Sequence, residues 1–289
     1  MVDQWQQKAS IAQACRLLSV SRASYYAAKR RPESPAICSE SVHLKSAFTE
    51  SQQTFGSRRL LTEMHKKGIH IGRYKILRLM REAGLVPVWK RKFVSTTDSN
   101  HALPVAENVL NRRFNPTEPN LAWVADITYI RTRSGWLYLA VVLELFSRKI
   151  IGWAMSATMP AELVCRALKM AIGARKPAAG LIMHSDRGSQ YASHEYQALL
   201  RQHGMVCSMS RKGNCWDNAV MERFFLNLKM ERVWRRDYAN HWEAEKDVTE
   251  YIVGFYNCVR LHSARGNLPP IIYEQEMAAK KPILVSENT

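Results

Sequence analysis

The sequence predicts an α/β core, in which helices cover a mixed sheet, behind a helical and strongly basic N-terminal region. Two observations predict it. In the first hundred positions apolar residues recur at helical spacing, whereas after residue 120 they form short runs typical of strands. Helical patterns then alternate with the later runs, as in a sheet covered by helices. With 289 residues, 46% of them apolar, the chain is long enough to bury such a core.

Five apolar runs supply the expected strands. Ser134 and Gly135 form a turn after the first run, so the first two runs make a hairpin. The five runs cover residues 121–130, 136–146, 149–158, 180–186 and 205–210. Helical patterns occupy residues 160–175, 193–204, 218 to about 234, and 241–262. Three strands joined by hairpins, followed by strands that alternate with helices, predict a mixed five-stranded sheet.

Two pairs of short helices are predicted in the N-terminal region. In the first, residues 9–31, Ser21 can cap the second helix, which is typical of a helix-turn-helix with Arg22 and Tyr25 placed to contact bases. The second pair, residues 57–68 and 72–84, ends each helix in glycine. Its basic side chains are Arg58, Arg59, Arg73, Lys75 and Arg78. A bundle with merely solvated charges is the alternative, but two basic pairs in tandem favour DNA binding.

Charge and composition narrow the partners and the location. The formal net charge is +17, and residues 1–100 hold 18 Lys and Arg against 7 Asp and Glu, so a polyanionic partner is expected. No apolar run approaches the ~20 residues of a membrane span, and the N-terminus has no signal-peptide core, so we expect a cytoplasmic protein without a membrane partner. The six cysteines have no zinc-finger spacing, so reduced thiols are expected.

Three acids occupy unusual positions. Asp126 lies in the middle of the first strand, on the face of Val124 and Thr128. Asp186 follows the fourth strand, and Glu222 lies on an apolar helical stripe where its burial would be costly. Each acid alone has a plain explanation. Asp186 could form a turn, Glu222 could pair with a nearby arginine, and Asp126 could be a hydrogen-bonded core residue. Together, they suggest a site at one edge of the sheet, where strand ends converge.

Three carboxylates suit phosphodiester chemistry. In-line displacement needs an activated oxygen nucleophile and a stabilised leaving oxygen, and two Mg²⁺ ions ~4 Å apart can provide both. Mg²⁺ takes oxygen ligands, so Asp126 could bridge two ions while Asp186 and Glu222 each hold one. No phosphate-binding loop, GxSxG or HExxH motif offers a competing site.

At these acids the sequence closely resembles a known family. The segments "WVADITYI", "HSDRGSQY", "SRKGNCWDNAVMERFF" and "YNCVRLHSA" resemble transposases of the insertion-sequence-three family of bacterial mobile elements, as does the gap of 35 residues between Asp186 and Glu222. The resemblance covers about residues 40–270 and implies a ribonuclease-H-like fold shared with retroviral integrases. It also implies that Asp126, Asp186 and Glu222 are the catalytic, metal-binding triad, with Mg²⁺ as cofactor and Mn²⁺ as its substitute.

The resemblance also implies a reaction and partners. The expected reaction is cleavage at the element's ends, followed by transfer of the 3′-hydroxyl to a target phosphodiester. The expected partners are double-stranded DNA, as terminal inverted repeats and as target, further copies of the chain in a dimer or larger synaptic complex, and an upstream-frame protein or fusion. When bound to DNA, the protein is expected on the bacterial nucleoid. The expected DNA contacts are Lys229, which shares the face of Glu222, together with Arg187, Lys212 and the basic residues of the N-terminal pairs.

Departures from the family are few. Arg223 replaces a common small residue, and Arg265 stands where Leu is usual, which puts the packing of the tail in question. We expect Asp217 and Asn218 to start the last core helix and Trp216 to anchor the loop before it. The expected divisions are residues 1–35 and 36–87 for the two helical segments, 88–118 for a tether, 119–262 for the catalytic core and 263–289 for an extended C-terminal arm.

Two other functions remain open on the sequence alone. A ribonuclease-H-like nuclease or resolvase would use the same triad to cut without joining. A DNA-binding regulator would use only the helix-turn-helix segments, and its acids would not need to hold metal.

Overall fold

The computed structural model describes residues 10–30, 38–88, 104–211 and 214–280. The N-terminal helices are α1 (Ile11–Leu17), α2 (Arg22–Lys29), α3 (Ser39–Glu50), α4 (Ser57–Lys66) and α5 (Arg73–Glu82). The strands are β1 (Ala122–Thr132), β2 (Gly135–Glu144), β3 (Ile150–Ser156), β4 (Ile182–Ser185) and β5 (Val206–Met209). The remaining helices are α6 (Ala161–Arg175), α7 (Ser189–Ala192), α8 (His194–Gln202), α9 (Ala219–Glu231), α10 (His241–Glu250) and α11 (Pro270–Ala279).

The five strands form one mixed sheet in the order β3-β2-β1-β4-β5. The pairs β1–β2 and β2–β3 are antiparallel, whereas β1–β4 and β4–β5 are parallel. The predicted α/β class and mixed five-stranded sheet are therefore confirmed. The first hairpin turns at Arg133 and Ser134, and Gly135 begins β2 at φ 117°, a conformation that favours glycine.

Each face of the sheet is covered. Val124 and Val141 point to a core that includes Phe224 and Leu228 of α9, together with apolar residues of α3, α4 and α5. Trp123 and other residues of opposite parity point to a second core beneath α6 and α8. The alternation expected around Asp126 is thus present, with its face turned towards α9.

The N-terminal helices form as the sequence predicts. The Ser21 hydroxyl accepts a hydrogen bond from the Ser24 amide at 3.0 Å, so it caps α2. Gly68 and Gly84 follow α4 and α5 with positive φ. The helix α3 was not singled out in the sequence, yet its Leu44 and Phe48 belong to the core that extends to the sheet. The second basic segment therefore packs directly on the α/β core.

Described residues in both segments that flank the core make contacts that we did not expect. Leu110, within the segment expected to be a tether, is 1% exposed, and its amide donates to the Ser208 hydroxyl at 3.0 Å. The extended arm expected after residue 262 instead contains α11, whose Glu274 pairs with Lys149 and Arg175. In the described residues, no helix is long and apolar enough to cross a membrane.

Arg265 shows how the tail accommodates its departure from the family pattern. The side chain is buried, and its guanidinium donates to the backbone carbonyls of Leu145, at 2.8 Å, and Phe146. It also lies over the Tyr273 ring, 5.5 Å from the centroid. Arg265 thus supplies hydrogen bonds to the turn after β2, where a Leu could supply only apolar contact.

Candidate active site

Asp126 lies in the middle of β1, and both of its carboxylate oxygens are held. Oδ1 accepts from the Ile127 amide at 2.7 Å, and Oδ2 accepts from the Asn218 side chain at 3.0 Å. The side chain is half-buried on the sheet face that meets α9. Its orientation is therefore fixed both by its own strand and by the residue just before α9.

The register of β1 and β4 aligns the first two acids. In this parallel pair, Ala122 lies opposite Ile182 and Val124 opposite His184, so partners are 60 positions apart. Continued by two residues, the same register sets Asp126 against Asp186, just past the last residue of β4. The Asp186 Oδ1 accepts from the Gly188 amide at 2.9 Å, which stabilises the turn after the strand.

Glu222 lies in the first turn of α9 and is exposed to solvent. The expectation of a carboxylate on a buried stripe is therefore wrong. The helix instead packs through Met221, Phe224 and Leu228, which are one position before and two and six positions after the acid. Partial desolvation by its surroundings still raises the pKa of Glu222 above its usual value.

The three acids are close enough for their charges to interact. Burial raises the pKa of Asp126 well above its ordinary range, and the charges of Asp186 and then Glu222 raise it further, while Lys229 opposes them. The pKa of Asp126 therefore responds to both of the other acids. Among the described residues, however, no three or more His, Cys, Asp or Glu side chains are arranged as a group that could hold a metal ion.

Lys229 is the basic side chain of this site. Its ammonium lies 4.5 Å from the centroid of the Tyr129 ring, a cation–π contact on β1. Desolvation lowers the pKa of Lys229, whereas the negative charge of Asp126 acts to raise it. Glu222 and Lys229 both lie in α9, seven positions apart, so they share the helix face that we expected. Lys229 is also close enough to Asp126 for their charges to interact.

Asp217 organises the loop before α9, a role that sequence reasoning missed. Its carboxylate is fully buried and accepts from the Arg211 side chain at 2.9 Å, from Arg112 at 2.8 Å and from Asn108 at 2.9 Å. These bonds, those of Arg211 first, hold the pKa of Asp217 far below its usual range. Local sequence gave little signal for this role, because Arg211 is six positions from Asp217 and Arg112 is 105 positions away.

Asn218 is the N-cap residue of α9, so the helix starts where we expected. A 3₁₀ turn, Cys215–Asn218, precedes it, and neither Asp217 nor Asn218 caps the helix with its side chain. Trp216 is 68% exposed, so the expectation that it anchors the loop is wrong. Anchoring comes instead from the ion pairs of Asp217.

The expected DNA contacts fall into two groups. Arg22, Arg58, Arg73 and Arg78 are exposed, so their side chains face solvent. The others are engaged: Tyr25 is buried beside Tyr26, Arg59 is half-buried over the Phe55 ring, Lys75 pairs with Glu40 at 2.6 Å, and Arg187 donates to the Ser210 carbonyl at 2.6 Å. Lys212 lies outside the described residues.

Tyr25 and Arg59 therefore do not match the surface role expected of them. The Tyr25 ring packs in the α1–α2 pair, because the first turn of α2 directs it inward. Burial lowers the pKa of Arg59 to about 10, and the neighbouring charge of Arg260 lowers it too. Both side chains contribute to packing where a base or phosphate contact was expected.

Comparison with known proteins finds matching family models and similar solved structures. The Integrase core domain family matches residues 116–215, a second Integrase core domain family matches residues 203–270, and the HTH-like domain family matches residues 40–93. Among solved structures, the chain is similar to the simian T-cell lymphotropic virus intasome, with 14% identity, a TM-score of 0.48, and coverage of 80% of this chain and 74% of that one. It is also similar to the HTLV-2 integrase catalytic core domain in complex with magnesium, with 16% identity, a TM-score of 0.44, and coverage of 55% and 99%.

Curated relatives match over almost the full length. The chain is 44% identical to the Insertion element IS600 uncharacterized 31 kDa protein of Shigella sonnei, over 91% of this chain and 97% of that protein. It is 40% identical to the Transposase InsF for insertion sequence IS3A of Escherichia coli (strain K12), over 96% of this chain and 98% of that protein. The chain therefore belongs to the IS3 family of transposases, and it carries the integrase core domain of a polynucleotidyl transferase.

Proposed function

We propose that Asp126, Asp186 and Glu222 form the catalytic centre of this transposase, which cleaves DNA at the ends of its element and joins the freed 3′-hydroxyl to a target phosphodiester. The observation that carries the proposal is the β1–β4 register, which, continued by two residues, sets Asp126 against Asp186. The charges of Asp186 and Glu222, which both raise the pKa of Asp126, support it for all three acids. The exposed start of α9 supports it for Glu222, because DNA can reach that turn.

The donor set fits a hard divalent cation. Three carboxylates supply the oxygen ligands that Mg²⁺ takes, and Mn²⁺ accepts the same donors. Among the described residues the acids are not gathered into a group that could hold the ion by itself, so waters and substrate phosphates, which Mg²⁺ also takes as ligands, would complete its coordination. Two ions per site, when bound, would lower the pKa of a nucleophilic oxygen and stabilise the leaving oxygen.

Other residues orient the acids and the DNA. Ile127 and Asn218 fix the two oxygens of Asp126 through hydrogen bonds. The Lys229 ammonium, held over Tyr129 near the acids, would contact a DNA phosphate beside the cleavage point. Arg187 remains a candidate phosphate contact, although its Nε is committed to a backbone carbonyl, and Lys212 remains a candidate from the sequence.

DNA binding outside the catalytic centre is assigned to the basic N-terminal helices. The exposed arginines Arg22, Arg58, Arg73 and Arg78 would neutralise phosphates, and Lys75 could do so by exchanging its partner Glu40. We propose a dimer or larger assembly that holds two element ends, with an upstream-frame protein as a further partner. Terminal inverted repeats and target DNA are the proposed substrates, and the nucleoid is the proposed location.

Strand transfer by purified protein tests the catalytic proposal. A labelled duplex carrying the element's terminal repeat is incubated with the chain and Mg²⁺ or Mn²⁺. Joined products are expected for the native chain and should be lost in Glu222→Gln. The matched control is Glu276→Gln, an exposed glutamate on α11, and it should retain joining. Cleavage without joining would indicate the nuclease or resolvase, and metal-independent binding without cleavage would indicate the regulator.

A further inference from the structure

One exposed helix face in the second basic segment is left unused by the catalytic assignment. We call it the α5 face, and it consists of Arg73, Tyr74, Arg78 and Arg81. Tyr74 is 91% exposed, an unusual setting for a large ring. On the opposite side of the same helix, Ile76 and Leu79 are buried in the core. The helix is therefore rigidly seated and presents this face to solvent.

The position of Tyr74 matches that of a base-reading side chain. It is the second residue of α5, the second helix of the α4–α5 pair, and the start of the second helix is where helix-turn-helix proteins contact base edges. Arg78 and Arg81 follow Tyr74 by four and seven positions, so the three side chains lie along one face. A helix with this stripe can lie in a major groove.

The charge of the face specifies its occupant. Arg78 is 3.6 Å from Glu82, and both side chains are more than 60% exposed, so this ion pair is weak. Among the described residues, the Arg81 guanidinium has no ion-pair partner. Arginines around an exposed aromatic ring complement duplex DNA, in which phosphates flank the groove and the thymine methyl offers apolar contact.

The first helical pair is a weaker candidate for reading bases. The tyrosine expected at the start of its second helix, Tyr25, is buried, and the exposed Tyr26 shows only 40% of its surface. We infer that the α5 face reads the base sequence of the element's terminal repeat, with Tyr74 as its specificity-determining residue. This inference rests on the proposed function for its DNA, yet it concerns binding and needs no catalysis.

Equilibrium binding without metal tests the assignment. Fluorescence anisotropy of the full chain in chelator is measured with a terminal-repeat duplex and with a scrambled duplex of equal composition. Tyr74→Ala should lower the ratio of the two affinities about tenfold, the loss expected for one base contact. Its affinity for the scrambled duplex should hardly change. Tyr26→Ala, the matched tyrosine on α2, should leave the ratio unchanged.

Three results would overturn the assignment. The ratio of the two affinities could stay at the native value in Tyr74→Ala. The affinity of Tyr74→Ala for both duplexes could fall equally, or Tyr26→Ala could be the variant that lowers the ratio. Strand transfer by the same preparations keeps the two proposals separate. A native chain that joins DNA while Tyr74→Ala retains full discrimination leaves the catalytic proposal standing and removes this one.

A second inference comes from an independent observation, a buried amide between α9 and β1. Asn218 is 6% exposed, and its Nδ2 donates to the Asp126 Oδ2 at 3.0 Å. Its Oδ1 is buried and has no hydrogen-bond partner among the described residues. Burying an unpartnered acceptor has a cost, so the position is not explained by stability alone.

The neighbouring contacts fix Asn218 in place. The adjacent Asp217 is tied to Arg112 and Arg211, so the 3₁₀ turn that carries both residues is braced from outside the helix. Asn218 of this turn donates a hydrogen bond to one carboxylate oxygen of Asp126, and the Ile127 amide donates to the other oxygen. We infer that Asn218 is a positioning residue, which holds the Asp126 carboxylate in the orientation that binds the divalent cation; this rests on the proposed function.

Metal binding measured directly tests the role of Asn218. Free Mn²⁺ is followed by electron paramagnetic resonance as the full chain is titrated, without DNA. Asn218→Leu keeps the shape but removes the amide, and it should weaken Mn²⁺ affinity at least tenfold, as for other residues that orient metal ligands. Asn227→Leu, the same change farther along α9, should have no effect.

The outcomes separate this inference from the catalytic proposal. If Asp126→Asn leaves Mn²⁺ binding intact, the proposed metal site fails. If Asp126→Asn abolishes binding while Asn218→Leu retains native affinity, the positioning role fails and the metal site stands. Asn218→Ala, with urea unfolding measured for both variants, provides the same test should the larger side chain disturb the fold.

Discussion

Two ion pairs of this protein have equally short contacts but differ in burial, and we expect burial to decide how much each contributes to the free energy of unfolding. Glu231, the last residue of α9, accepts three hydrogen bonds of 2.9–3.1 Å from Arg260 and one of 2.6 Å from the Tyr251 hydroxyl. The Glu231 and Arg260 side chains are 8% and 5% exposed. Glu231→Gln keeps the size but leaves the arginine charge buried without a carboxylate. We expect the free energy of unfolding to fall by about 3–5 kcal/mol.

The control is a pair with equally short contacts in solvent. Arg133 and Asp237 meet at 2.7 Å, but their side chains are 69% and 73% exposed. Asp237→Asn should leave the free energy of unfolding nearly unchanged, because water and salt already screen these charges.

Urea unfolding at neutral pH, followed by tryptophan fluorescence, measures both changes under one set of conditions. The loss in unfolding free energy should be clearly larger for Glu231→Gln than for Asp237→Asn. Added salt should reduce the loss only for Asp237→Asn. Equal losses, or a loss below about 1 kcal/mol for Glu231→Gln, would refute the view that burial sets the value of these pairs.

Three further predictions follow from other contacts. Lys229→Ala should lower the slope of log affinity against log salt for DNA by about one, and an unchanged slope would remove its phosphate contact. Gly152→Ala in β3 should destabilise the chain by about 1–3 kcal/mol in urea unfolding, because an added Cβ would lie 2.2 Å from the Ala167 carbonyl oxygen. Gly173→Ala in α6, the helix that carries Ala167, has nothing within 4 Å of the added Cβ and should stabilise the chain by about 0.5–1 kcal/mol. Because the pKa of Asp217 is lower in the folded than in the unfolded chain, its carboxylate stabilises the fold above pH ~4, and this stabilisation is lost as the pH falls below that value. The difference in unfolding free energy between the native chain and Asp217→Asn should therefore shrink as the pH falls. A difference that stays constant would contradict this.

Periodicity predicted the features that depend on local geometry. Alternation in β1 put Asp126 on the face that meets α9, and helical spacing placed Lys229 two turns along from Glu222 on the same face of α9. Both follow from repeat lengths of two and 3.6 residues, which the sequence displays directly. The alternation of strands and helices predicted the mixed sheet for the same reason.

Contacts between distant residues escaped prediction. Nothing local links Arg112 to Asp217 or Asn218 to Asp126, since each pair joins separate elements after the chain has folded. Exposure was also misjudged: the turn of α9 that carries Glu222 lies at the end of the helix, where an apolar pattern no longer implies a covered surface. The exposure of Tyr25 was misjudged in the opposite direction, because α2 packs through its first turn, which carries this ring.

The parallel pairing of β1 and β4 has a consequence for how this chain can vary. Hydrogen bonds between the two strands, and not the number of residues between them, decide that Asp126 lies level with Asp186. The connection through α6 could therefore lengthen or shorten in a homologue while the two acids stay level. A single residue inserted in β1 before Asp126 would instead turn its side chain to the opposite face of the sheet. Variation in length should thus accumulate between the strands and be excluded from within them.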